Sequence, residues 1–206
     1  MHWKGDFLML RIVTLLAALV LAAPAAFAET QSDCASDDHD VAIAACTQLI
    51  KENPKNATAY YNRGISYRQT GKLDLAMADY TRAIEIDPNY FEAYNNRGNL
   101  FMARGDNKRA LQEFDAAIKI NPKYAIAYNN RGEAFENMNQ LDDAMTAYNL
   151  AIQLNPKYSR AIANRGDIWR KKGNRDNAIA DYKQALSIDP NNDLARAGLK
   201  ILGVSP

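Results

Sequence analysis

From residue 57 to residue 192 the chain repeats itself every 34 residues, with no insertion or deletion between copies. Glycine returns at Gly64, Gly98, Gly132 and Gly166, and alanine at Ala76, Ala110, Ala144 and Ala178. A second alanine returns at Ala83, Ala117, Ala151 and Ala185, and Pro54, Pro88, Pro122, Pro156 and Pro190 close the units. A period this short constrains the fold more than composition can. One unit cannot bury its own apolar face, so the copies must stack to make a continuous core. The expected product is an all-α solenoid.

Each copy reads as two helices. Tyr60, Gly64 and Tyr67 fall at helical spacing, as do Ala76, Tyr80, Ala83 and Ile84, so both halves have one apolar face and pair antiparallel. Gly71, Gly105 and Gly173 stand between the halves, where a helix end favours positive φ; the third copy has Asn139 there. Asp87-Pro88 ends the second helix, because proline restricts the residue before it and lacks an N–H.

The spacing resembles the tetratricopeptide repeat. Its signature positions are Tyr60, Gly64, Tyr67, Ala76, Tyr80, Ala83 and Pro88 in the first copy, and Tyr94, Gly98, Phe101, Ala110, Phe114, Ala117 and Pro122 in the second. The third has Tyr128, Gly132, Phe135, Ala144, Tyr148, Ala151 and Pro156; the fourth has Ile162, Gly166, Trp169, Ala178, Tyr182, Ala185 and Pro190. The resemblance implies a right-handed α–α superhelix with full repeats at 57–90, 91–124, 125–158 and 159–192. It also implies a groove, lined by the first helices, that takes an extended or helical peptide.

One departure from the family recurs in every copy. Where an apolar residue usually precedes the glycine, this chain has Arg63, Arg97, Arg131 and Arg165. Asp79, Glu113 and Asp181 follow on the second helix in copies one, two and four, with Ala147 in the third. Structural salt bridges in those three copies are the expected arrangement; arginines lining a ligand groove are the alternative.

Transferred by phase, the groove positions include Tyr61, Ile65, Arg68 and Gln69, then Asn95, Asn99 and Met102, then Asn129, Glu133, Glu136 and Asn137, then Arg160, Ala163, Asp167, Arg170 and Lys171. Asn62, Asn96, Asn130 and Asn164 hold one position in all four copies. An amide both donates and accepts, so this ladder could read the backbone of an extended peptide; a structural role is the competing reading. Tyr61, Asn99, Glu133 and Arg170 complete the candidate peptide-binding set. Glu133 and Glu136 read as an acidic patch suited to a basic residue on the partner. The lysines with which carboxylate-clamp members of the family hold chaperone tails are absent.

Residues 1–28 read as a signal peptide: Arg11, an apolar run from Ile12 to Ala23, then Ala26-Phe27-Ala28 as a small-x-small cleavage site. Met9 is an alternative start, and an uncleaved inner-membrane anchor the alternative fate. Export to the periplasm of a Gram-negative bacterium is the expected location. Removing residues 1–28 takes Lys4, Arg11 and Asp6 from 25 basic and 24 acidic residues, leaving a formally neutral chain. Neutrality argues against a nucleic-acid binder, which needs a basic surface, and against electrostatic attachment to anionic membranes.

Residues 29–56 read as a polar leader plus a half-repeat helix, since Cys46 falls at the phase of Tyr80 and Ala42 at that of Ala76. The leader looks too short and polar to supply a first helix. Cys34 and Cys46 form an even pair, which in an exported chain reads as a disulfide that pins the leader and caps the stack. Residues 193–206 read as a capping helix, with Leu194, Leu199, Ile201 and Leu202 covering the last core face, and a tail.

Catalytic, metal and cofactor signatures are not found: His39 stands beside Asp37, Asp38 and Asp40 in what reads as a solvated leader, and no phosphate loop, HExxH or serine elbow occurs. The expected function is a non-enzymatic scaffold for a protein or peptide partner, with no nucleic acid or small-molecule substrate. A self-associating structural protein, or a regulatory subunit of an envelope complex, is the alternative.

Overall fold

The computed structural model describes residues 30–205, and among these the regular structure is entirely helical. The proposed signal peptide, its cleavage site and Met9 lie outside the described residues. The chain divides into two compact units between Asp87 and Pro88.

The first unit holds α1 (His39–Glu52), α2 (Ala57–Gln69) and α3 (Leu73–Ile86). Asp38 caps α1 by accepting from the backbone of Asp40 and Val41, and the Asn56 side chain caps α2 through Ala59. These caps satisfy N–H groups that the first helical turn leaves open. Gly71 turns the chain between α2 and α3 at φ +75°. The helices then meet closely: a Cβ on Gly64 would lie 2.7 Å from the Tyr80 ring, so a larger residue would force α2 and α3 apart.

Ahead of α1, residues 30–33 form a helical turn, closed by Cys34 N–H donating to the Thr30 carbonyl at 3.0 Å. This corrects the expectation that the leader supplies no first helix. By phase, residues 30–33 are the end of one. The Cys34–Cys46 disulfide joins this turn to α1, and both cysteines are buried with Leu49 and Ala59.

The second unit holds α4 (Phe91–Ala103), α5 (Asn107–Ile120), α6 (Ala125–Asn137), α7 (Leu141–Leu154), α8 (Ser159–Lys171), α9 (Arg175–Ile188) and α10 (Asp193–Ile201). Helices α4 with α5, α6 with α7, and α8 with α9 pack as pairs, and α5 and α7 each also pack on the first helix of the next pair. Asn139 takes the left-handed turn conformation at φ 59°, as the two flanking glycine turns do. Ala110, Phe114, Ala117, Ala144, Tyr148, Ala151, Ala178, Tyr182 and Ala185 are fully buried, which makes the second helices the spine of the core.

Helix α10 covers α9 through Ala195, Gly198 and Leu199, all buried. The expected cap is corrected at two residues: Leu194 is exposed and Ile201 is 67% exposed. The reason is steric. A Cβ at Gly198 would lie 2.2 Å from the Tyr182 ring, so this small stripe alone can meet α9, and Leu194 and Ile201 fall off it.

Candidate functional site

The recurring arginines serve the fold. Arg63 grips Asp79 with two bonds of 2.8 Å, Arg97 grips Glu113 at 3.0 and 2.9 Å, and Arg165 grips Asp181 at 2.8 and 2.7 Å. Paired forks of this kind are the stronger class of ion pair. Arg63 also donates to Thr47, and Arg165 to Asn149, each on the preceding second helix. Arg131, which has Ala147 in place of an acid, donates to Asp115 on the preceding second helix at 2.8 Å. Aromatic rings flank the guanidinium groups: Arg63 lies over Tyr60 and Tyr67, Arg97 over Tyr94, and Arg131 over Phe135. The arginines therefore do not line a groove, and the alternative reading is set aside.

On the first-helix side of the second unit, a polar network joins α4, α6 and α8. Asn130 donates to Asn95 at 2.9 Å, and Asn164 to Asn129 at 2.9 Å. Asn164 also donates to Glu133 at 3.1 Å, as Asn129 does at 2.8 Å. With exposures of 5% and 7%, Asn130 and Asn164 are committed to their neighbours and do not present free amides. The recurrence of asparagine is thus explained in these two copies by helix-to-helix bonding 35 residues apart. Asn95 and Asn129, expected to face a groove, are buried with them, as is Ala163. Asn96 and Asn99 are half-buried on α4.

The acidic patch is corrected as well. Arg160 lies 3.4 Å from Glu133, and Lys171 pairs with Glu136, which also accepts from the Tyr148 hydroxyl at 2.8 Å. Arg170 donates to Asp167 from two nitrogens, and the Tyr182 hydroxyl donates to the same carboxylate at 3.1 Å. Burial alone would raise the Asp167 carboxyl, but Arg170 and Lys171 outweigh it and hold the carboxyl below its usual range. Burial raises the Tyr148 hydroxyl strongly, and Glu136 adds to the rise. Six charges on α6 and α8 thus cancel one another, so this face offers no net acidic attraction.

The first unit differs. Asn62 makes only a 3.9 Å contact with the Cys34 sulfur, and Tyr61 stacks obliquely on Tyr80 at 6.0 Å. Beside them a cleft of about 270 Å³ opens between the leader and α2, lined by Ser36, His39, Asn62, Ile65, Ser66 and Gln69. Among the described residues no cluster of His, Cys, Asp or Glu could hold a metal ion, and no helix is long and apolar enough to cross a membrane.

Stacked helical hairpins with polar first-helix faces define a helical-repeat scaffold. Family models described as TPR repeat match residues 65–103 and 98–139, and models described as tetratricopeptide repeat match 45–78, 125–158 and 159–192. The chain belongs to the tetratricopeptide repeat family, whose members generally act as non-enzymatic interaction scaffolds. No curated protein matches it. Among solved structures, MamA is 29% identical over 74% of this chain and 90% of that one, with a TM-score of 0.65. YrrB, described as a TPR protein with an unusual peptide-binding site, is 22% identical over 80% and 84%, with a TM-score of 0.63. PilW, described as a widely conserved type IV pilus biogenesis factor, is 23% identical over 81% and 79%, with a TM-score of 0.72.

Proposed function

We propose that this protein is an exported scaffold that holds a peptide segment of a partner protein against the first helices of its repeats. The observation that carries the reading is the wall formed by α4, α6 and α8. Side-chain bonds from Asn130 to Asn95 and from Asn164 to Asn129 fix these helices side by side, leaving Asn99, Met102, Glu136 and Arg170 half-exposed along them. A rigid surface loses little entropy when a flexible peptide settles on it. Because the charges on α6 and α8 are paired, binding there rests on shape and hydrogen bonding more than on net charge. Asn99 is the amide on this wall that the reading assigns to the ligand.

The Cys34–Cys46 bond supports export, since disulfides persist in oxidising compartments. The apolar run from Ile12 to Ala23 supports export as well, and the envelope of a Gram-negative bacterium is the location that we propose for it.

The test is to select peptides from a random library on the oxidised protein, then map the best binder by amide chemical shifts. Perturbations concentrated on α4, α6 and α8, and weakened by Asn99→Ala, are expected. Perturbations confined to the second helices α3, α5, α7 and α9 would refute the reading.

A further inference from the structure

The outer face of α10 differs from that of the first helices α4, α6 and α8. At the phase of Ala197 those helices carry Asn95, Asn129 and Ala163, all buried. Asn95 and Asn129 each accept a bond from the next first helix, and α10 itself packs on α8. This phase is therefore where one first helix receives the following one. Ala197 holds it and is exposed, while α8 and α9 pack against the opposite side of α10 through Ala195, Gly198 and Leu199.

The open face has an apolar flank and a charged flank. Leu194, Ala197 and Ile201 recur at helical spacing and form one stripe. Leu194 is exposed, and Ile201, at 67%, is the most exposed large apolar side chain among the described residues. The full copies never set two large apolar residues here: they carry Thr58 with Ile65, Glu92 with Asn99, Ile126 with Glu133, and Arg160 with Asp167. On the other side of Ala197 lie Asp193 and Lys200, at opposite ends of the helix. Asp193 is exposed and stands 3.7 Å from Arg196, which also donates to the Pro190 carbonyl and to Asn191. Lys200 is exposed and, among the described residues, unpaired.

We infer that this face binds the same face of a second copy of the chain, the two α10 helices lying antiparallel about a twofold axis at Ala197. In an isologous contact the same patch serves on both sides. With one helix reversed, Leu194 of each copy meets Ile201 of the other on the apolar flank, and Asp193 of each meets Lys200 of the other on the charged flank. A parallel pair would oppose Asp193 to Asp193 and Lys200 to Lys200, so the charges select the antiparallel one. The small side chain of Ala197 at the crossing lets the helix axes approach to about 8 Å, the close end of helix packing. Between α10 and Gly203, Val204 and Ser205 a cleft of about 410 Å³ stays open beside Lys200, which leaves room for the second Asp193. One short helix per copy buries less than the roughly 1,200 Å² of a standard interface, so a weak dimer is expected, with a Kd of about 10–100 µM. The contact is independent of the peptide reading, which concerns α4, α6 and α8.

Sedimentation velocity of the full, oxidised chain, at concentrations spanning that Kd, should pass from monomer to dimer, and the Ile201 δ1-methyl resonance should shift along the same curve. Ile201→Glu sets a carboxylate against Leu194 of the other copy and should weaken association about ten-fold or more. Because Ile201 is exposed in the single chain, helical circular dichroism should be unchanged. Asp193→Lys and Lys200→Asp should each weaken association about five-fold, and combining them should restore it, as the antiparallel pairing of these two positions requires. The charge variants carry the test if Ile201→Glu loses helicity. A chain that stays monomeric throughout leaves this face to a helix of some other protein and overturns the inference. So does a dimer that Ile201→Glu leaves intact, or a double charge variant that associates no more tightly than the single ones. None of these results touches the scaffold reading, which is judged by library peptides on α4, α6 and α8.

Discussion

Cys34 stands to Cys46 as Glu136 stands to Tyr148: each pair spans twelve residues and ties the end of a first helix to the middle of the second. The disulfide therefore replaces, at the N-terminal edge, the side-chain contact that later repeats make without a covalent bond. Among the described residues, 30–33 form a single helical turn, which has little apolar area of its own to hold it in place. Closing a loop of 12 residues by a covalent bond contributes about 3 kcal/mol in the chain-entropy view. Reduction is accordingly expected to raise amide hydrogen exchange in α1 and α2 while leaving α8 unchanged. A Cys34→Ala, Cys46→Ala variant should exchange like the reduced protein and ignore reductant; uniform behaviour across all helices would show that the bond does not stabilise this end.

The unsatisfied hydroxyl of Tyr80 gives a paired expectation. Tyr80→Phe removes a buried group that has no partner, and Phe114 already fills this phase in the second copy. Stability should rise by about 1 kcal/mol. Tyr148→Phe instead removes a bond to a carboxylate and should cost about 1.5 kcal/mol. Urea titrations of both variants provide the check, and equal effects of one sign would contradict the contrast.

The helix pairs, their turns and the salt bridges of copies one, two and four were legible in the sequence because they follow from positions repeated without shift. Gly64, Gly98 and Gly132 recur because an aromatic ring lies against each, and a missing Cβ is visible in a sequence. The partner of Arg131 was not legible, since Asp115 precedes it on a different repeat. Nor was the burial of Asn130 and Asn164, although Asn95 and Asn129 held the signal. An asparagine one position earlier in the preceding copy marks a bond between adjacent first helices. Charge in the groove misled for a related reason: Glu133 and Glu136 are answered by Arg160 and Lys171 from the next repeat, and pairing across repeats cannot be read from one copy.

The two kinds of arginine pairing should differ in energy. Asp181 is nearly buried and held by two bonds from Arg165, whereas Asp115 is 57% exposed and meets Arg131 through one. Asp181→Ala strands a half-buried guanidinium and should cost about 2 kcal/mol. Asp115→Ala removes a solvated pair and should cost about 0.5 kcal/mol or less. Chemical denaturation at low and high salt separates them, with only the Asp115 effect vanishing as salt is added.

Asp167 sets the acid behaviour of the last full repeat. Burial would raise its carboxyl, but Arg170 and Lys171 prevail and bring it below its ordinary value of 3.8. As pH falls, the unfolded chain takes up the proton first, so the stability that this carboxylate contributes is present above the ordinary value and lost as pH drops through the folded one. Asp167→Asn keeps the shape, abolishes the titration and leaves Arg170 and Lys171 without this anion. The variant should be less stable than the parent at neutral pH, and the difference should shrink once pH falls below about 4. Glu113 works in the opposite sense: burial, only partly offset by Arg97, raises its carboxyl, so protonation favours the folded state. Comparing acid unfolding of Asp167→Asn and Glu113→Gln therefore gives offsets from the parent that change in opposite directions as pH falls: Asp167→Asn gains on the parent and Glu113→Gln loses ground to it. A constant offset between parent and Asp167→Asn from neutral pH down to the acid transition would mean that Arg170 and Lys171 do not hold this carboxylate in its charged form.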